Sequence, residues 1–400
     1  MSRVSRGILV SIALLSLLAA AVAGYLYFQF YAPTGAATQH AESFRFRRAA
    51  AARPPGAETD QFRYFYATNR NIVATGDSGA RRFGDGRIER VSYGYFDVRV
   101  EPSLGLGMLV NPTQWMQNEE IRLDATSGLD RRRFSEALRA QVHRSPHKSL
   151  LVVVHGHQES FRTALRKTAF LGHVLDLDTP VLVFDWPADQ GRTLTGYRRA
   201  HSVAEASGAE LAQVLRLAIE NIAPERLWLL ANSLGARVAA EAFGPLMAVE
   251  SLADPGAEFD HVVFTAPDVG EATFAERFEG EMMALCRRLT VYVSSGESAL
   301  LLSGIVDRNP EQRVSGPSPD QFSEALQISE LVEPDHRRVA LVDVTPVDRT
   351  GNFHDFSLET PEFFDDLYLR LTNRNAPRGR PLYPFRTPSG KSYWVLTPGR

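Results

Sequence analysis

The chain has 400 residues, of which 44% are hydrophobic and 23% are charged, a composition typical of globular proteins rather than disordered ones. The formal net charge is only -3 with both signs interspersed, which argues against a nucleic-acid-binding surface. Cys286 is the single cysteine, and this excludes an internal disulfide and a zinc site built from cysteines.

The first predicted element is a membrane segment, because no charged residue occurs from Gly7 to Tyr31 and about 20 apolar residues span a bilayer as a helix. Arg3 and Arg6 precede it and aromatic residues crowd its far end, as at a membrane interface. We predict an uncleaved signal anchor in residues 1–31 with the bulk of the chain outside the cytoplasm. Since residues 21–23 resemble a signal-peptidase site, the alternative is a cleaved signal peptide and a secreted chain.

The segment after the anchor, residues 32–60, is rich in Ala, Pro, Gly and Thr and has no apolar periodicity. It is predicted to be a flexible tether. Aromatic and β-branched residues then predict strands from Arg63 to Ala67 and from Val91 to Val100, separated by a Gly-rich, charged stretch from Thr75 to Arg87. Residues from Arg131 to Val142 show the periodicity of an amphipathic helix.

From Ser149 onward, predicted strands and helices alternate, a pattern that favours a mainly parallel sheet with helices on both faces. The predicted strands are Leu150–Val154, Val181–Phe184, Arg226–Leu230, His261–Thr265, Leu289–Val293 and Val339–Val344, and the predicted helices are Ser160–Leu175 and about Ser202–Ile222. We assign residues 61–374 to one α/β domain. The polar stretch from Leu301 to Leu331 is predicted to cover the site as a lid or to loop out, and the Pro- and Gly-rich residues 375–400 to form an extension along the surface.

A nucleophile elbow is predicted where the short apolar strand from Leu227 to Leu230 gives way to a helix-favouring sequence. Between strand and helix lies the pentapeptide Ala-Asn-Ser-Leu-Gly at residues 231–235. Such an elbow needs small residues two before and two after the serine, because strand and helix nearly touch there. The alanine and the glycine meet that requirement.

Ser233 is therefore the candidate nucleophile, and the backbone N–H of Leu234 is a candidate donor to an oxyanion. The alternative interpretation is that Asn232 or Ser233 only caps the following helix, as both residue types do well. Further candidates are expected at the carboxyl ends of the strands, where ligands bind in open α/β sheets.

The candidate general base is His354. Of the ten histidines, only His336 and His354 follow the plausible acids in the order serine, acid, histidine of α/β hydrolases. His336 precedes the last predicted strand and so lies at its wrong end, whereas His354 follows that strand at the right end.

Two carboxylates are candidates to orient the histidine. Glu297 is preferred, because it follows the strand that usually carries the acid in such folds. Asp268, one strand earlier, is the rival. Each has a plainer alternative: Asp268 as the N-cap of a helix beginning near Glu271, and Glu297 as a carboxylate in the first turn of a helix.

The sequence His155-Gly156-His157 follows a predicted strand at the place where hydrolases carry the second oxyanion donor. The glycine lets the backbone turn its amides inward, and the N–H of His157 is the candidate donor. The two histidines lack further well-spaced ligands nearby, so we predict no metal site. His155 is predicted to line the substrate pocket. Trp186, which also follows a strand, is predicted either to line this pocket or to pack beneath it.

Several short motifs together resemble a known family. They are Tyr66-Ala67-Thr68-Asn69-Arg70, Ser92-Tyr93-Gly94, His155-Gly156, Trp186-Pro187, the elbow and Pro267-Asp268. With them, the region from about Phe62 to Leu371 resembles the esterase/lipase-like α/β hydrolases catalogued as a bacterial domain of unknown function. The resemblance implies an α/β-hydrolase fold and a serine-hydrolase triad. It names no substrate.

The chain departs from that family's pattern at two positions. The family usually has His-Ser-Met-Gly at the elbow, where this chain has Asn232-Ser233-Leu234-Gly235. The family also usually has aspartate where Glu297 stands, which bears on the identity of the acid, although glutamate serves in some α/β hydrolases.

Together these patterns predict a membrane-anchored serine hydrolase that cleaves small-molecule or lipid carboxylic esters without a cofactor. The expected location is the bacterial inner membrane, with the catalytic domain on the periplasmic or extracellular side. Acyl transfer to an alcohol would use the same residues. The alternative from another class is a catalytically silent hydrolase fold that serves as a binding or envelope-assembly module.

Overall fold

A computed structural model describes most of the predicted α/β domain. The described residues are 14–21, 61–75, 81–100, 121–175, 177–191, 193–249, 258–269, 281–294, 339–348, 356–372, 382–386 and 392–397. The predicted tether, the stretch from Leu301 to Leu331 and the candidates Glu297 and His354 lie outside these residues.

One sheet of eleven strands organises the described part of the chain, in the order β10-β11-β9-β8-β7-β6-β4-β5-β1-β2-β3. The strands are β1 (Gln61–Thr75), β2 (Arg81–Val100), β3 (Ile121–Leu129), β4 (Ser149–Val154), β5 (Val181–Asp185), β6 (Arg226–Asn232), β7 (His261–Thr265), β8 (Leu289–Val293), β9 (Val339–Asp343), β10 (Leu382–Arg386) and β11 (Ser392–Leu396). In this spatial order, all the strands from β11 to β1 pair in parallel. At the two edges, β10 pairs antiparallel with β11, and β2 and β3 add an antiparallel extension beside β1. The predicted mainly parallel sheet is confirmed.

Helices cover both faces of this sheet, as predicted. They are α1 (Arg131–Arg144), α2 (Phe161–Leu175), α3 (Leu194–Leu217), α4 (Leu234–Met247), the single turn α5 (Met283–Leu285), α6 (Phe356–Glu359) and α7 (Pro361–Thr372), and a π-helical turn, Ala218–Ile222, continues α3. Alternate residues of β4 face opposite ways: Leu150 and Val152 join the core beneath α1, α3 and α4, and Leu151 and Val153 join the core beneath α2, α6 and α7. We call these the α3 face and the α6 face.

Local sequence predicted the central strands more closely than the helix ends. The strands His261–Thr265 and Leu289–Val293 have the predicted bounds. The helix predicted from about Ser202 begins instead at Leu194, because the Thr193 side chain caps it by accepting a hydrogen bond from the Gly196 N–H at 3.1 Å.

Two segments predicted to be loops belong to the sheet. Residues 81–87, assigned to a polar separator, pair with β1 in a long antiparallel hairpin. The residues predicted to run along the surface at the carboxyl end include β10 and β11, and β11 joins the edge strand β9 in parallel. That prediction was wrong because an exposed strand edge offers unpaired backbone groups that a later segment can satisfy.

Of the predicted membrane anchor, the structure describes only residues 14–21, which are helical. Leu14, Leu15, Leu17 and Leu18 of this helix are each more than 60% exposed. Among the described residues, no helix is both long and apolar enough to span a membrane. The remainder of the predicted anchor lies outside the described ranges.

The strand order reverses beside β4. The chain passes from β4 to β5 on one side and then crosses back to β6 on the other side. Ligand sites of open α/β sheets lie outside the carboxyl ends of the strands at such a switch point. Here those ends carry the His155–His157 sequence after β4 and Ser233 after β6.

Candidate active site

Ser233 occupies a strained turn between β6 and α4. Its backbone angles are φ 53° and ψ -129°, a combination that a residue with a side chain rarely adopts. The turn is held from both sides, since the Ser233 N–H donates to the Thr265 carbonyl at 3.0 Å and the Ser233 carbonyl accepts from the Asp268 N–H at 3.2 Å. No hydrogen bond from the Ser233 side chain caps α4, so the plain capping interpretation does not account for this residue.

Close packing around the elbow explains why positions 156 and 235 are occupied by glycine. A Cβ at Gly235 would lie 2.5 Å from the His155 carbonyl oxygen and 2.6 Å from that of Val154. A Cβ at Gly156 would lie 3.0 Å from the Ser233 Cβ. The loop after β4 and the elbow after β6 therefore touch backbone to backbone, and only glycine permits that approach.

The loop after β4 rests on Trp186. This tryptophan is fully buried, stacks on the His155 ring with centroids 5.8 Å apart, and donates its indole N–H to the His155 carbonyl at 2.8 Å. His157, which carries the candidate oxyanion amide, packs its ring edge-on against Tyr197, with centroids 5.4 Å apart. Trp186 therefore packs beneath the loop.

A buried ion pair joins this loop to the neighbouring strand ends. Asp185, at the end of β5, accepts hydrogen bonds from the Arg70 Nε at 2.9 Å, the Thr68 hydroxyl at 2.6 Å and the His155 Nε2 at 3.1 Å. Burial by itself would raise the pKa of Asp185, but the charge of Arg70 and the hydrogen bonds from His155 and Thr68 hold the pKa below its usual value. Asp185 is therefore ionised at neutral pH.

The motif from Tyr66 to Arg70 supports the site from beneath. Tyr66 is paired with Gly94 across β1 and β2, where a Cβ on the glycine would come within 2.4 Å of the tyrosine ring. Asn69 donates to the Ser207 hydroxyl and to the Glu210 carboxylate, both at 3.0 Å. The side chains of this motif thus fix the hairpin, α3 and the loop after β4 to one another.

Asp268, the rival acid, lies beside the elbow with only 2% of its surface exposed. Its carboxylate accepts a hydrogen bond from the hydroxyl of Tyr197 on α3. The backbone of Asp268 is thus next to the nucleophile, while its side chain reaches towards the α3 face.

The opposite side of the elbow contacts the segment that follows His354. The Asn232 side-chain amide donates to the Thr265 hydroxyl at 3.0 Å and lies 3.4 Å from the hydroxyl oxygen of Ser357 in α6. Ser357 and Phe356 are buried there. His354 precedes Ser357 by three residues and lies outside the described residues, as does Glu297 three residues beyond Ser294.

A family model described as an alpha/beta hydrolase of unknown function (DUF900) matches residues 130–362, more than half of the chain. The chain belongs to this family. The resemblance drawn from the short motifs is thereby confirmed at the level of the family. The search for relatives among curated proteins finds no match.

Solved structures that match this chain include the phospholipase PlaB from Legionella pneumophila in complex with thio-NAD, at 12% identity and a TM-score of 0.27, covering 62% of this chain and 67% of that chain. They also include the peroxisomal alpha-beta-hydrolase Lpx1 from Saccharomyces cerevisiae, at 10% identity and a TM-score of 0.30, covering 80% of this chain and 92% of that chain. The family assignment therefore rests on the family model.

Within this hydrolase-family member, sequence reasoning missed several residues of the site. Arg70 was noted only as part of a motif, and Asp185 was not singled out, although a charged residue directly after the predicted strand Val181–Phe184 was a signal for its contacts. Tyr197 gave no local signal, because its contact with Asp268 joins residues that are 71 positions apart. In the part of the chain that the structure describes, no group of three or more His, Cys, Asp or Glu side chains could hold a metal ion.

Proposed function

We propose that the protein is a serine hydrolase that cleaves carboxylic esters, with Ser233 as its nucleophile. The observation that carries the proposal is the strained conformation of Ser233, with φ 53° and ψ -129° between β6 and α4. Backbone strain of this kind is retained where it serves function, and a sharp strand-to-helix turn exposes a serine hydroxyl at the top of an α/β-hydrolase sheet. In the proposed reaction the Ser233 hydroxyl attacks the ester carbonyl and forms an acyl-enzyme that water hydrolyses.

His354 is the proposed base that takes the proton from Ser233 and returns it to the leaving alcohol. The contact of Ser357 with Asn232, the residue before the nucleophile, supports this role. Three residues of chain extend over at most about 10 Å. A histidine three residues before Ser357 is thus within reach of the elbow.

Glu297 is the proposed orienting acid. The Asp268 carboxylate accepts a hydrogen bond from the hydroxyl of Tyr197 on the α3 face, whereas α6, which follows His354, packs on the other face. Glu297 follows β8, the strand that pairs with β9, and β9 is the last strand before His354. The topology therefore favours Glu297 over Asp268.

The proposed oxyanion donors are the backbone N–H groups of Leu234 and His157. Leu234 is the first residue of α4, and the first N–H groups of a helix have no acceptor within it. A Cβ added at Gly156 would lie 3.0 Å from the Ser233 Cβ, so the loop that carries His157 packs closely against the nucleophile. Two amides aimed at one point stabilise the negative charge that develops on the carbonyl oxygen.

The proposed substrate is a small-molecule or lipid ester. The proposed location is the bacterial inner membrane, with residues 1–31 as the membrane anchor. The uncharged stretch from Gly7 to Tyr31 supports this anchor. The two arginines before it support a catalytic domain on the periplasmic or extracellular side. Protease accessibility in spheroplasts tests the side, because digestion of the intact domain requires it to face outward.

A fluorophosphonate probe tests the nucleophile. Wild-type protein is expected to be labelled, and Ser233→Ala is expected to lose labelling and to reduce turnover of a short acyl ester by about 10⁶-fold, as for other triad serines. Ser202→Ala, at an exposed serine of α3, is the matched control and should be labelled like wild type. Absence of labelling in wild type would discard the enzyme and favour a silent binding or assembly module.

A further inference from the structure

The guanidinium of Arg70 lies where three segments of the site meet. It is fully buried and donates to the carbonyl oxygens of Glu159 at 2.6 Å and of Trp186 at 2.9 Å. On its other edge it donates to the Asp85 carboxylate at 2.9 Å. One planar group therefore connects the loop after β4, the loop after β5 and the β1–β2 hairpin.

The counter-charge of Arg70 binds the same loop from a second direction. Asp185 accepts from Arg70 on one oxygen, and its other oxygen lies 3.1 Å from the Nε2 of His155. His155 and Glu159 are the two ends of the loop that contains Gly156 and His157. Both ends of the loop are thus tied to a single buried ion pair.

The loop has little freedom in its contact with the nucleophile. Gly156 packs against the Ser233 Cβ and Gly235 packs against the His155 carbonyl. Since a displacement of about 1 Å can cost two orders of magnitude in rate, the chemistry depends on what holds the loop in place. Van der Waals contact with the elbow prevents the loop from moving closer to Ser233, and the hydrogen bond from Arg70 to the Glu159 carbonyl prevents the loop from moving away.

We propose that Arg70 is a positioning residue, which holds the loop from His155 to Glu159 so that the His157 amide faces the oxyanion formed at Ser233. The inference rests on the proposed function and adds the device that orients one of its oxyanion donors. Arg70 acts through the loop backbone and does not touch the substrate.

Arginine is required for this role because of its shape as well as its charge. A guanidinium donates in several fixed directions within one plane, whereas a lysine ammonium is a compact charge on a flexible stem. Arg70→Lys keeps a positive charge near the buried Asp185 but cannot reach the carboxylate and both loop carbonyls at once. The substitution therefore separates charge compensation from positioning.

The test compares Arg70→Lys with Arg63→Lys in the full-length protein. Arg63 lies on the same strand and forms a two-bond pair with Asp97, at 2.7 Å for each bond, but it touches neither loop. Both variants are expected to lose thermal stability. Only Arg70→Lys is expected to lower kcat for a short acyl ester, by about 10- to 100-fold, with KM within about threefold of wild type because ground-state binding does not use the oxyanion amides.

A trifluoromethyl ketone gives a readout that a purely structural role would not change. It forms a hemiketal oxyanion on the serine, so its inhibition constant for Arg70→Lys should rise in proportion to the loss of kcat/KM, while inhibition by the product alcohol stays unchanged. If Arg70→Lys does not fold, Thr68→Val takes its place, since it removes one hydrogen bond to Asp185 and should lower kcat several-fold.

Two outcomes would contradict these ideas separately. A kcat for Arg70→Lys, or for its replacement Thr68→Val, that equals the kcat of Arg63→Lys would overturn the positioning role and leave the serine hydrolase intact. A wild-type protein that neither turns over esters nor reacts with the fluorophosphonate would overturn the proposed function, and the positioning role with it.

Discussion

The hydroxyl of Tyr197 donates a hydrogen bond to the carboxylate of Asp268, and both side chains are buried next to the candidate nucleophile. Tyr197 also supports the His157 ring, so one residue of α3 contacts both a candidate acid and the oxyanion loop. A buried carboxylate must be hydrogen-bonded to be stable. Tyr197 provides one such bond from the α3 face.

We expect Glu297→Gln to reduce kcat far more than Asp268→Asn. Removing the charge of a triad acid lowers kcat by about 10⁴-fold, whereas we expect Asp268→Asn to lower kcat by less than about tenfold, because it weakens a structural hydrogen bond from Tyr197. Steady-state kinetics with a short acyl ester measure both effects. The reverse order of the two losses would make Asp268 the acid.

Tyr197→Phe should lower stability more than activity. The variant removes one donor from the buried Asp268 carboxylate, a change that costs about 1–3 kcal/mol in the free energy of unfolding, while the ring that packs against His157 is retained. Denaturant titration and kcat measured on the same preparation separate the two effects. A kcat loss as large as that of Glu297→Gln would show that Tyr197 and Asp268 act in the chemistry.

Gly235→Ala should disrupt the elbow. The added Cβ would meet two backbone carbonyl oxygens at 2.5 and 2.6 Å, and backbone cannot move aside as a flexible side chain can. We expect a loss of about 2–4 kcal/mol in the free energy of unfolding together with loss of activity. Gly128→Ala is the matched control, because the three atoms nearest to its Cβ would all belong to the flexible side chain of Arg81, the closest at 3.1 Å. This variant should be close to neutral in stability.

Asp343→Asn should become more stabilising as the pH rises. Burial raises the pKa of Asp343, which lies at the end of β9, although hydrogen bonds from Thr345 oppose the shift. A carboxyl whose folded pKa is raised destabilises the fold once it ionises, so this cost is absent below the unfolded pKa of about 3.9 and complete above the folded pKa. Asparagine does not ionise and so does not destabilise the fold in this way, and its side-chain oxygen can still accept the hydrogen bonds from Thr345.

Urea titrations of wild type and Asp343→Asn at several pH values between 4 and 8 measure this effect. The difference in the free energy of unfolding between the two proteins should grow in favour of the variant as the pH rises. A difference that stays constant over this range would show that Asp343 titrates at its ordinary pKa.

The sequence by itself determined the central strands, the mainly parallel sheet and the elbow. Each of these is encoded locally: continuous apolar runs such as Leu150–Val154 are buried on both sides of a sheet, and small residues around Ser233 mark a sharp turn. Glu297 and His354 were proposed from the order of elements along the chain, and both stay predictions.

Tertiary structure alone decided how the site is supported. Arg70 and Asp185 are 115 positions apart and Tyr197 and Asp268 are 71 apart, and no periodicity along the chain encodes such pairs. The place of β10 and β11 in the sheet was missed for the same reason, since β11 pairs with β9, which is distant in sequence, and β10 then pairs with β11. Hydrogen-bonding groups buried by the assembled sheet must find partners wherever the fold brings them, and those partners become visible only when the strands are in place.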